Sequence, residues 1–480
     1  MTPSAHRSIV LRLGLLLLLL PAARAQVQIT SFSHAGELEW TNTLPHAQSF
    51  DIEWIGSLEE GAWQASWDSL VGIPATAPTY RVSVPMCYRV VAHTNVFHSR
   101  WTLLYYLVGD NNLEPDFIAK FLELGRWNSD TNVQIVVQFA RLGEDARYGQ
   151  WHSCERFYVT NGIEPTQDNA VPDWGEGAGG RMINMADPAT LTAFIDWAAA
   201  LYPADRYALL IGDHGFGWNG LGICESYAES ILYLSDLRAA LQAADVPVDC
   251  LFLDACHMNM AEMVTELAYT DVQYVLGSET YGQPDWPYGW IIEGLQANPG
   301  WTPWQFASDV NERLWDYYSV STAVAKITLC TTDLSRVPDL VTNTAWFVAG
   351  ACDTNVPLTE AQDRARAVMA SVTNALVVRH LGSNWNDIAF GLAVYFPLKN
   401  GMDVHQSFDE YSARRTIFSV DGDWRRLLEA FYDPISGPPS HPQLFTARNA
   451  ITNYLDYGDA NANEHIDLYD YCREFANAPP

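Results

Sequence analysis

From about residue 100 to about residue 435, apolar runs typical of buried strands alternate with segments typical of amphipathic helices. This pattern predicts an α/β fold with a mainly parallel sheet covered by helices on both faces. In such sheets, ligand sites lie beyond the carboxyl ends of the strands. Ser235 is the expected N-cap of the third helix. The predicted strands are 103–108, 133–139, 207–211, 250–253, 272–276, 323–329 and 391–396, and the predicted helices are 115–126, 188–201, 236–244, 258–269 and 303–318.

Residues 26–97 have a different pattern, in which short stretches of alternating apolar and polar residues are separated by turn residues. The spacing of these stretches, with no helical segment between them, predicts a small all-β sandwich of the fibronectin-III or immunoglobulin type. This module contains no catalytic constellation. Its expected role is that of a spacer or an adhesion module that contacts cell-surface or extracellular proteins.

Residues 1–25 have the pattern of a secretory signal peptide. Arg7 and Arg12 give a positive start, an apolar run covers 13–20, and Ala23–Ala25 form a small-x-small cleavage site before Gln26. No later stretch reaches the roughly 18 apolar residues that a membrane-spanning helix needs. We therefore expect a secreted protein without a transmembrane segment, located outside the cell, on its surface or in a periplasm.

The chain is strongly acidic, with 57 Asp and Glu against 27 Lys and Arg and a net charge of −30. Such a surface repels nucleic acid and attracts cationic ligands, so we expect no nucleic-acid partner. Most of the excess lies in 98–435, which is a weak indication of basic substrates. The eight cysteines have neither CxxC nor zinc-site spacing, and their pairing stays open.

Two predicted strands end in side chains that can carry chemistry. The strand at 207–211 leads to His214 and Gly215, and the strand at 250–253 leads to Cys256. If the strands are parallel neighbours, His214 and Cys256 lie side by side, and a cysteine nucleophile needs a nearby histidine. A helix beginning just after Cys256 would stabilise the thiolate, and the N–H groups of Gly215 and Cys256 would face an oxyanion. The alternative is a packed cysteine and a loop histidine without a catalytic role.

The sequence resembles the clostripain family of cysteine peptidases. The matching segments occur in the family's order over about 100–435, and their combination is more specific than any one of them. They are Trp101–Leu107, Asp110–Leu113, Ala204–Tyr207, His214–Trp218, Leu253–Met258 and Gly391–Pro397.

The resemblance implies a caspase-like fold and a secreted endopeptidase that acts on protein and peptide substrates through a thioester, without an organic cofactor. It assigns Cys256 as nucleophile, His214 as general acid and base, and Gly215 with the Cys256 N–H as oxyanion hole, with no third acid. It also implies cleavage after a basic P1 residue, especially Arg. Asp254 is then the best candidate for the acid of the S1 pocket, and capping of the following helix is the alternative.

Glu279 and Asp285 are the other candidates for holding a guanidinium group. The family has a Ser-x-Glu segment before a pocket-lining loop, and here Asp285–Tyr288 departs from the usual Asp-Gly-Trp arrangement. A solvated loop acid is the alternative interpretation of Asp285, while His257 is expected to be structural. Two alternative functions stay open: a caspase-like peptidase with another P1 preference, and a non-catalytic surface-binding or adhesion protein on a peptidase scaffold.

Residues 436–442 have the composition of a linker, and 443–480 form a short final segment. Oxygen-bearing side chains at loop positions 1, 3, 5, 9 and 12 match an EF-type calcium loop. The segment resembles half of a dockerin repeat, although Glu464 replaces the turn glycine and only one copy is present. Calcium is therefore the expected ion, and an acidic solvated tail is the alternative. The candidate ligands are Asp459, Asn461, Asn463, His465, Asp467 and Asp470.

Overall fold

The computed structural model divides the chain into two compact units, Met1–Phe97 and His98–Pro480. The predicted signal peptide lies outside the described residues. No helix in the described part of the chain is long and apolar enough to cross a membrane. The described residues are 27–32, 37–42, 49–55, 73–74, 79–81, 87–92, 99–172, 180–282, 285–384, 389–396, 404–433, 437–451 and 465–480.

The first unit contains two small antiparallel sheets, with strand orders β1-β2-β5 and β4-β3-β6. Trp40 of one sheet packs edge-on against Phe50 of the other, with 5.4 Å between the ring centroids, and both side chains are buried. A shared apolar core between two sheets is typical of a sandwich, and the kinship of this module stays a prediction. Its strands are β1 (Val27–Phe32), β2 (Glu37–Asn42), β3 (Ser49–Ile55), β4 (Ile73–Pro74), β5 (Thr79–Arg81) and β6 (Cys87–Ala92).

The second unit is a mixed α/β structure, as predicted. Its strands are β7 (Ser99–Gly109), β8 (Val133–Arg141), β9 (Ser153–Tyr158), β10 (Ala204–Gly212), β11 (Leu221–Cys224), β12 (Ser230–Leu232), β13 (Cys250–Asp254), β14 (Tyr274–Ser278), β15 (Thr328–Asp333), β16 (Leu376–Leu381), β17 (Ala393–Tyr395) and β18 (His465–Asp467). Its α-helices are α1 (Glu114–Trp127), α2 (Pro188–Leu201), α3 (Leu234–Ala243), α4 (Ala261–Leu267), α5 (Tyr288–Ala297), α6 (Pro303–Ser319), α7 (Val337–Ala351), α8 (Leu358–Ala375), α9 (Val404–Arg414), α10 (Ile417–Asp421), α11 (Trp424–Tyr432), α12 (Gln443–Ala450) and α13 (Leu468–Asn477).

Eight strands form the central sheet in the order β16-β15-β14-β13-β10-β7-β8-β9. The five strands from β14 to β8 are parallel, and β9 and β15 run antiparallel to them. The edge strand β16 pairs antiparallel with β15 and so runs in the same direction as the five. The residues of β7 alternate between the two faces. Tyr106 contacts Phe194 of α2, and Tyr105 contacts Tyr288 of α5 on the opposite face. Helices therefore cover both faces, as the near-continuous apolar strands predict.

The C-terminal segment is part of the second unit rather than a separate module after a linker. β18 pairs with β17 in antiparallel register, and α13 packs against α8 and α12. The Asp467 carboxylate accepts the N–H of Asp470 at the start of α13 and the N–H groups of Phe390 and Gly391 before β17. This buried carboxylate thus connects two parts of the chain that are distant in sequence.

Three local predictions are wrong. Tyr233, not Ser235, is the N-cap of α3, and it makes no side-chain capping bond. The helix expected at 258–269 begins at Ala261, because the N–H groups of His257 and Asn259 donate to carbonyls of Thr280 and Ser278 instead of starting a helical turn. The strand expected at 323–329 is displaced: Thr322–Lys326 form a 3-10 helix and the strand is Thr328–Asp333.

Candidate active site

The sheet brings His214 and Cys256 to one edge, as the sequence predicts. β10 and β13 are parallel neighbours, and Gly212 is the register partner of Asp254. Gly212 and Asp254 are the last paired residues of the two strands, and His214 and Cys256 each lie two residues after them. Both line one cleft of about 160 Å³. The cleft is lined by Leu113, Asp116, Phe117, Lys120, Asp213, His214, Asp254, Ala255, Cys256 and Gly282.

Gly215 lies directly against the backbone of the cysteine. A Cβ atom at this position would be 1.9 Å from the carbonyl oxygen of Cys256 and 2.9 Å from its nitrogen. No side chain fits in that space, so the approach of the two loops requires glycine. The two backbone segments expected to supply the oxyanion hole are therefore adjacent.

The thiol of Cys256 differs from the other cysteines of the second unit. All seven are free, but Cys256 is half-buried whereas the other six are buried. Burial and the charge of Asp254 raise the pKa of the thiol, against the lowering effect of the Gly282 N–H, which donates to Sγ over 3.3 Å. Since α4 begins only at Ala261, the expected assistance from a helix N-terminus is missing. Both burial and the charge of Asp254 therefore favour the protonated thiol.

The imidazole of His214 is oriented by a side chain that the sequence analysis missed. Nε2 of His214 lies 2.8 Å from Oδ1 of Asn112, which is in the loop after β7. A carbonyl oxygen only accepts, so Nε2 carries the proton and Nδ1 is the ring atom that accepts one. Burial lowers the pKa of His214, which favours the neutral imidazole. The segment Asp110–Leu113 matches the family in sequence, but the sequence alone does not predict that Asn112 contacts the imidazole of His214.

Asp213 fixes the loop that carries the histidine. Its carboxylate accepts hydrogen bonds from the N–H of His214 at 2.6 Å, the N–H of Ile223 at 3.0 Å and the side-chain amide of Asn111 at 2.9 Å. These bonds occupy both carboxylate oxygens. Asp213 therefore holds the backbone of His214, while Asn112 contacts the ring.

Asp254 lines the cleft, as expected for an S1 acid, but it already has a cationic partner. Lys120 of α1 forms a buried ion pair with it, and the Tyr288 hydroxyl donates to the same carboxylate over 2.8 Å. Burial raises the pKa of Asp254, and the ammonium group of Lys120 counters that effect. The N-cap position of α4 belongs to Met260, so the alternative role as a helix cap is wrong. Nothing in the local sequence links Lys120 to Asp254, because they are 134 residues apart.

Glu279 and Asp285 are not among the described residues that line this cleft, and their role in substrate binding stays a prediction. Glu279 is fully buried. Burial raises the pKa of Asp467, and a hydrogen bond with Glu279 counters that effect, so Glu279 faces the C-terminal segment. Asp285 is exposed, and its charge acts with burial to raise the pKa of Tyr317. Neither carboxylate is positioned with the thiol and imidazole in the described part of the site.

His257 is buried away from the cleft, in keeping with a structural role. Its backbone has a φ of +58°, and its ring contacts the rings of Tyr281 and His465 at centroid distances of 4.9 and 5.3 Å. Burial lowers the pKa of His257 to about 4. His465 comes from β18, so the C-terminal segment packs against the residue that follows the nucleophile.

The described half of the expected calcium loop does not fit a metal site. Both oxygens of Asp467 accept backbone N–H groups, Asp470 is paired with Arg473 at 2.8 Å, and His465 is buried. Among the described residues, no cluster of three histidine, cysteine or acidic side chains is arranged to hold a metal ion. Asp459, Asn461 and Asn463 lie outside the described residues, so calcium binding by that part stays a prediction.

A mainly parallel sheet with a thiol and an imidazole in one cleft at its carboxyl edge is the arrangement of an α/β cysteine peptidase. A family model described as the clostripain family matches residues 105–372, which is more than half of the chain. The chain therefore belongs to the clostripain family of cysteine peptidases.

Two known proteins illustrate the similarity. Clostripain of Hathewaya histolytica is 25% identical over 228 residues, covering 42% of this chain and 43% of the relative. The chain thus matches less than half the length of this curated relative. The X-ray structure of a secreted C11 cysteine protease from Bacteroides thetaiotaomicron, in complex with an irreversible peptide inhibitor, has 18% identity and a TM-score of 0.50. That match covers 68% of this chain and 99% of the other, and it supports the predicted fold.

Proposed function

We propose that this protein is a secreted cysteine endopeptidase that hydrolyses peptide bonds through Cys256 and His214. The observation that carries the proposal is the placement of both side chains at equivalent positions after neighbouring parallel strands, in one cleft. Membership of a cysteine peptidase family supports protein and peptide substrates. The signal-peptide pattern of residues 1–25 supports secretion.

The proposed reaction begins with a neutral thiol and a neutral imidazole. Nδ1 of His214 accepts the thiol proton as Sγ of Cys256 attacks the peptide carbonyl, so the base acts during the attack. The N–H groups of Gly215 and Cys256 are the proposed donors to the oxyanion. His214 then protonates the leaving amine, and water attacks the thioester with His214 again acting as base. The acid product leaves, and the thiol is restored.

The P1 preference does not simply follow from the family, because the acid expected to bind a P1 Arg is already paired with a lysine. Cleavage after Arg, as the family resemblance implies, requires a carboxylate that is available to a guanidinium group. The Lys120 ion pair makes Asp254 less available, and neither Glu279 nor Asp285 lines the cleft. This observation favours the alternative, a peptidase with another P1 preference.

The activity is tested by assaying purified wild-type protein and Cys256→Ala on a peptide library with and without calcium. We expect hydrolysis by the wild type and none by the variant. Cys352→Ala, at a buried cysteine after α7, is the matched control and should stay active. Retained hydrolysis by a folded Cys256→Ala protein would refute the mechanism. Absence of wild-type hydrolysis would favour the non-catalytic adhesion or surface-binding alternative.

A further inference from the structure

The base of the cleft contains an ion pair that is largely shielded from bulk water. The side chains of Lys120 and Asp254 are 9% and 5% exposed. The Lys120 ammonium also lies over two aromatic rings, 5.3 Å from the centroid of Phe117 and 5.1 Å from that of Tyr288. Two cation–π contacts and a carboxylate thus hold the ammonium group in place.

The pair changes the charge that an entering side chain meets. Alone, a buried Asp254 would attract a cation strongly, because little water screens it. With Lys120 beside it, the charge of Asp254 is balanced, and a guanidinium group would meet a like charge next to the carboxylate. Two other acids line the cleft. Both oxygens of Asp213 already accept hydrogen bonds from backbone N–H groups and the Asn111 amide, and Asp116 is exposed, so solvent weakens its attraction for a cation.

The rest of the cleft wall is partly apolar. Leu113 and Phe117 line it from the α1 side, and Ala255 lines it beside the nucleophile. An uncharged side chain loses little hydration on entering such a space and leaves the ion pair intact. A basic side chain would lose hydration without gaining an unpaired carboxylate.

We propose that Lys120 is a specificity-determining residue that neutralises Asp254 and makes the cleft select an uncharged P1 side chain instead of Arg or Lys. This inference rests on the proposed peptidase function. It names the substrate class as peptides with an uncharged P1 residue. Removal of the ammonium group should free Asp254 for a guanidinium group and reverse the preference.

The test compares kcat/KM for two peptide reporters that differ only in having Arg or Leu at P1. We expect the Arg/Leu ratio to be below one for the wild type and at least tenfold higher for Lys120→Met. Lys120→Arg keeps the positive charge and should keep the wild-type ratio. The double variant Lys120→Met/Asp254→Asn should lose the gain, because the freed carboxylate is removed.

Three results would overturn the inference. They are a wild-type preference for Arg, an unchanged ratio in a folded Lys120→Met protein, and a double variant that keeps the raised ratio. If Lys120→Met does not fold, the wild-type ratio still tests the substrate class, and a changed ratio in Lys120→Arg would overturn the role of the positive charge. A wild type that cleaves neither reporter and is not labelled at Cys256 by a Leu-P1 peptidyl electrophile, with calcium present, refutes the peptidase function as well.

Discussion

At the scale of single residues, the site depends on two neutral groups. Burial acts in opposite directions on them because it disfavours the charged form of each: it raises the pKa of the Cys256 thiol and lowers that of the His214 imidazole. A resting thiolate–imidazolium pair is therefore disfavoured. The thiol becomes a nucleophile when its proton moves to His214 during the attack.

The pH dependence of alkylation tests this protonation state. We expect the rate of Cys256 alkylation by iodoacetamide to rise with pH and to have a midpoint above the ordinary thiol value of about 8.5. The sign follows from the raised pKa, since only the thiolate reacts and it forms at higher pH. The rate is measured by intact-mass analysis, with Cys256→Ala as the blank. A pH-independent rate from pH 5 to 8 would indicate a preformed thiolate.

Asn112 is expected to act as a positioning residue through its bond to Nε2 of His214. Loss of one such hydrogen bond in Asn112→Ala should lower kcat about tenfold, with KM little changed, because the ring loses its orientation rather than a substrate contact. Asn112→Asp keeps an acceptor and should retain most of the activity.

The matched control for Asn112 is Asn169→Ala, because Asn169 is exposed and bonds only to the carbonyl of Glu164 among the described side-chain contacts. It should leave both kinetic constants unchanged. A fall in kcat as large for Asn169→Ala as for Asn112→Ala, or a normal kcat in Asn112→Ala, would rule out the positioning role.

At the scale of elements, β17 and β18 join the C-terminal segment to the sheet-bearing unit. β18 has only three residues, so pairing alone holds it weakly. Asp467 adds hydrogen bonds from the N–H groups of Phe390 and Gly391 before β17 and from the N–H of Asp470 in α13. His465 of the same strand packs against His257, which follows the nucleophile. The C-terminal segment therefore supports the backbone of the active site.

Asp467→Ala should lower the free energy of unfolding by about 2–4 kcal/mol, because it leaves several buried N–H groups without an acceptor. Urea denaturation of the second unit measures the change. The control is Asp363→Ala on α8, whose side chain is 72% exposed and pairs with the surface residue Arg366, and it should change stability by less than about 0.5 kcal/mol. Equal effects of the two substitutions would contradict the connecting role of Asp467.

At the scale of the whole molecule, the sequence predicts the features that depend on local patterns. Apolar runs identify the parallel strands, and strand ends identify His214 and Cys256, because neighbouring parallel strands end at one edge. The contacts of Lys120 and Asn112 depend on how α1 and its preceding loop pack against distant strands, which no local pattern encodes. The late start of α4 has the same origin, since the carbonyls of Ser278 at the end of β14 and of Thr280 just after it accept the N–H groups that a helix would use.

The C-terminal segment illustrates a pattern with two physical outcomes. Regularly spaced acidic and amide residues suit a calcium loop, and the same acids can cap helices and accept backbone N–H groups. In the described part of the segment, Asp467 caps α13 and accepts the N–H of Asp470. The sequence motif does not distinguish these roles because β17, which supplies the strand partner, lies about 70 residues earlier in the chain.

We propose Cys256 as the nucleophile of a peptidase. Locating the residue that attacks a reactive peptide analogue tests this role directly. The protein is treated with a peptidyl acyloxymethyl ketone that carries Leu at P1, then digested and mapped by mass spectrometry. We expect one adduct, on Cys256, which disappears in Cys256→Ala and forms more slowly in His214→Ala. An adduct on another cysteine, or equal labelling of denatured and folded protein, would contradict the proposed role of Cys256.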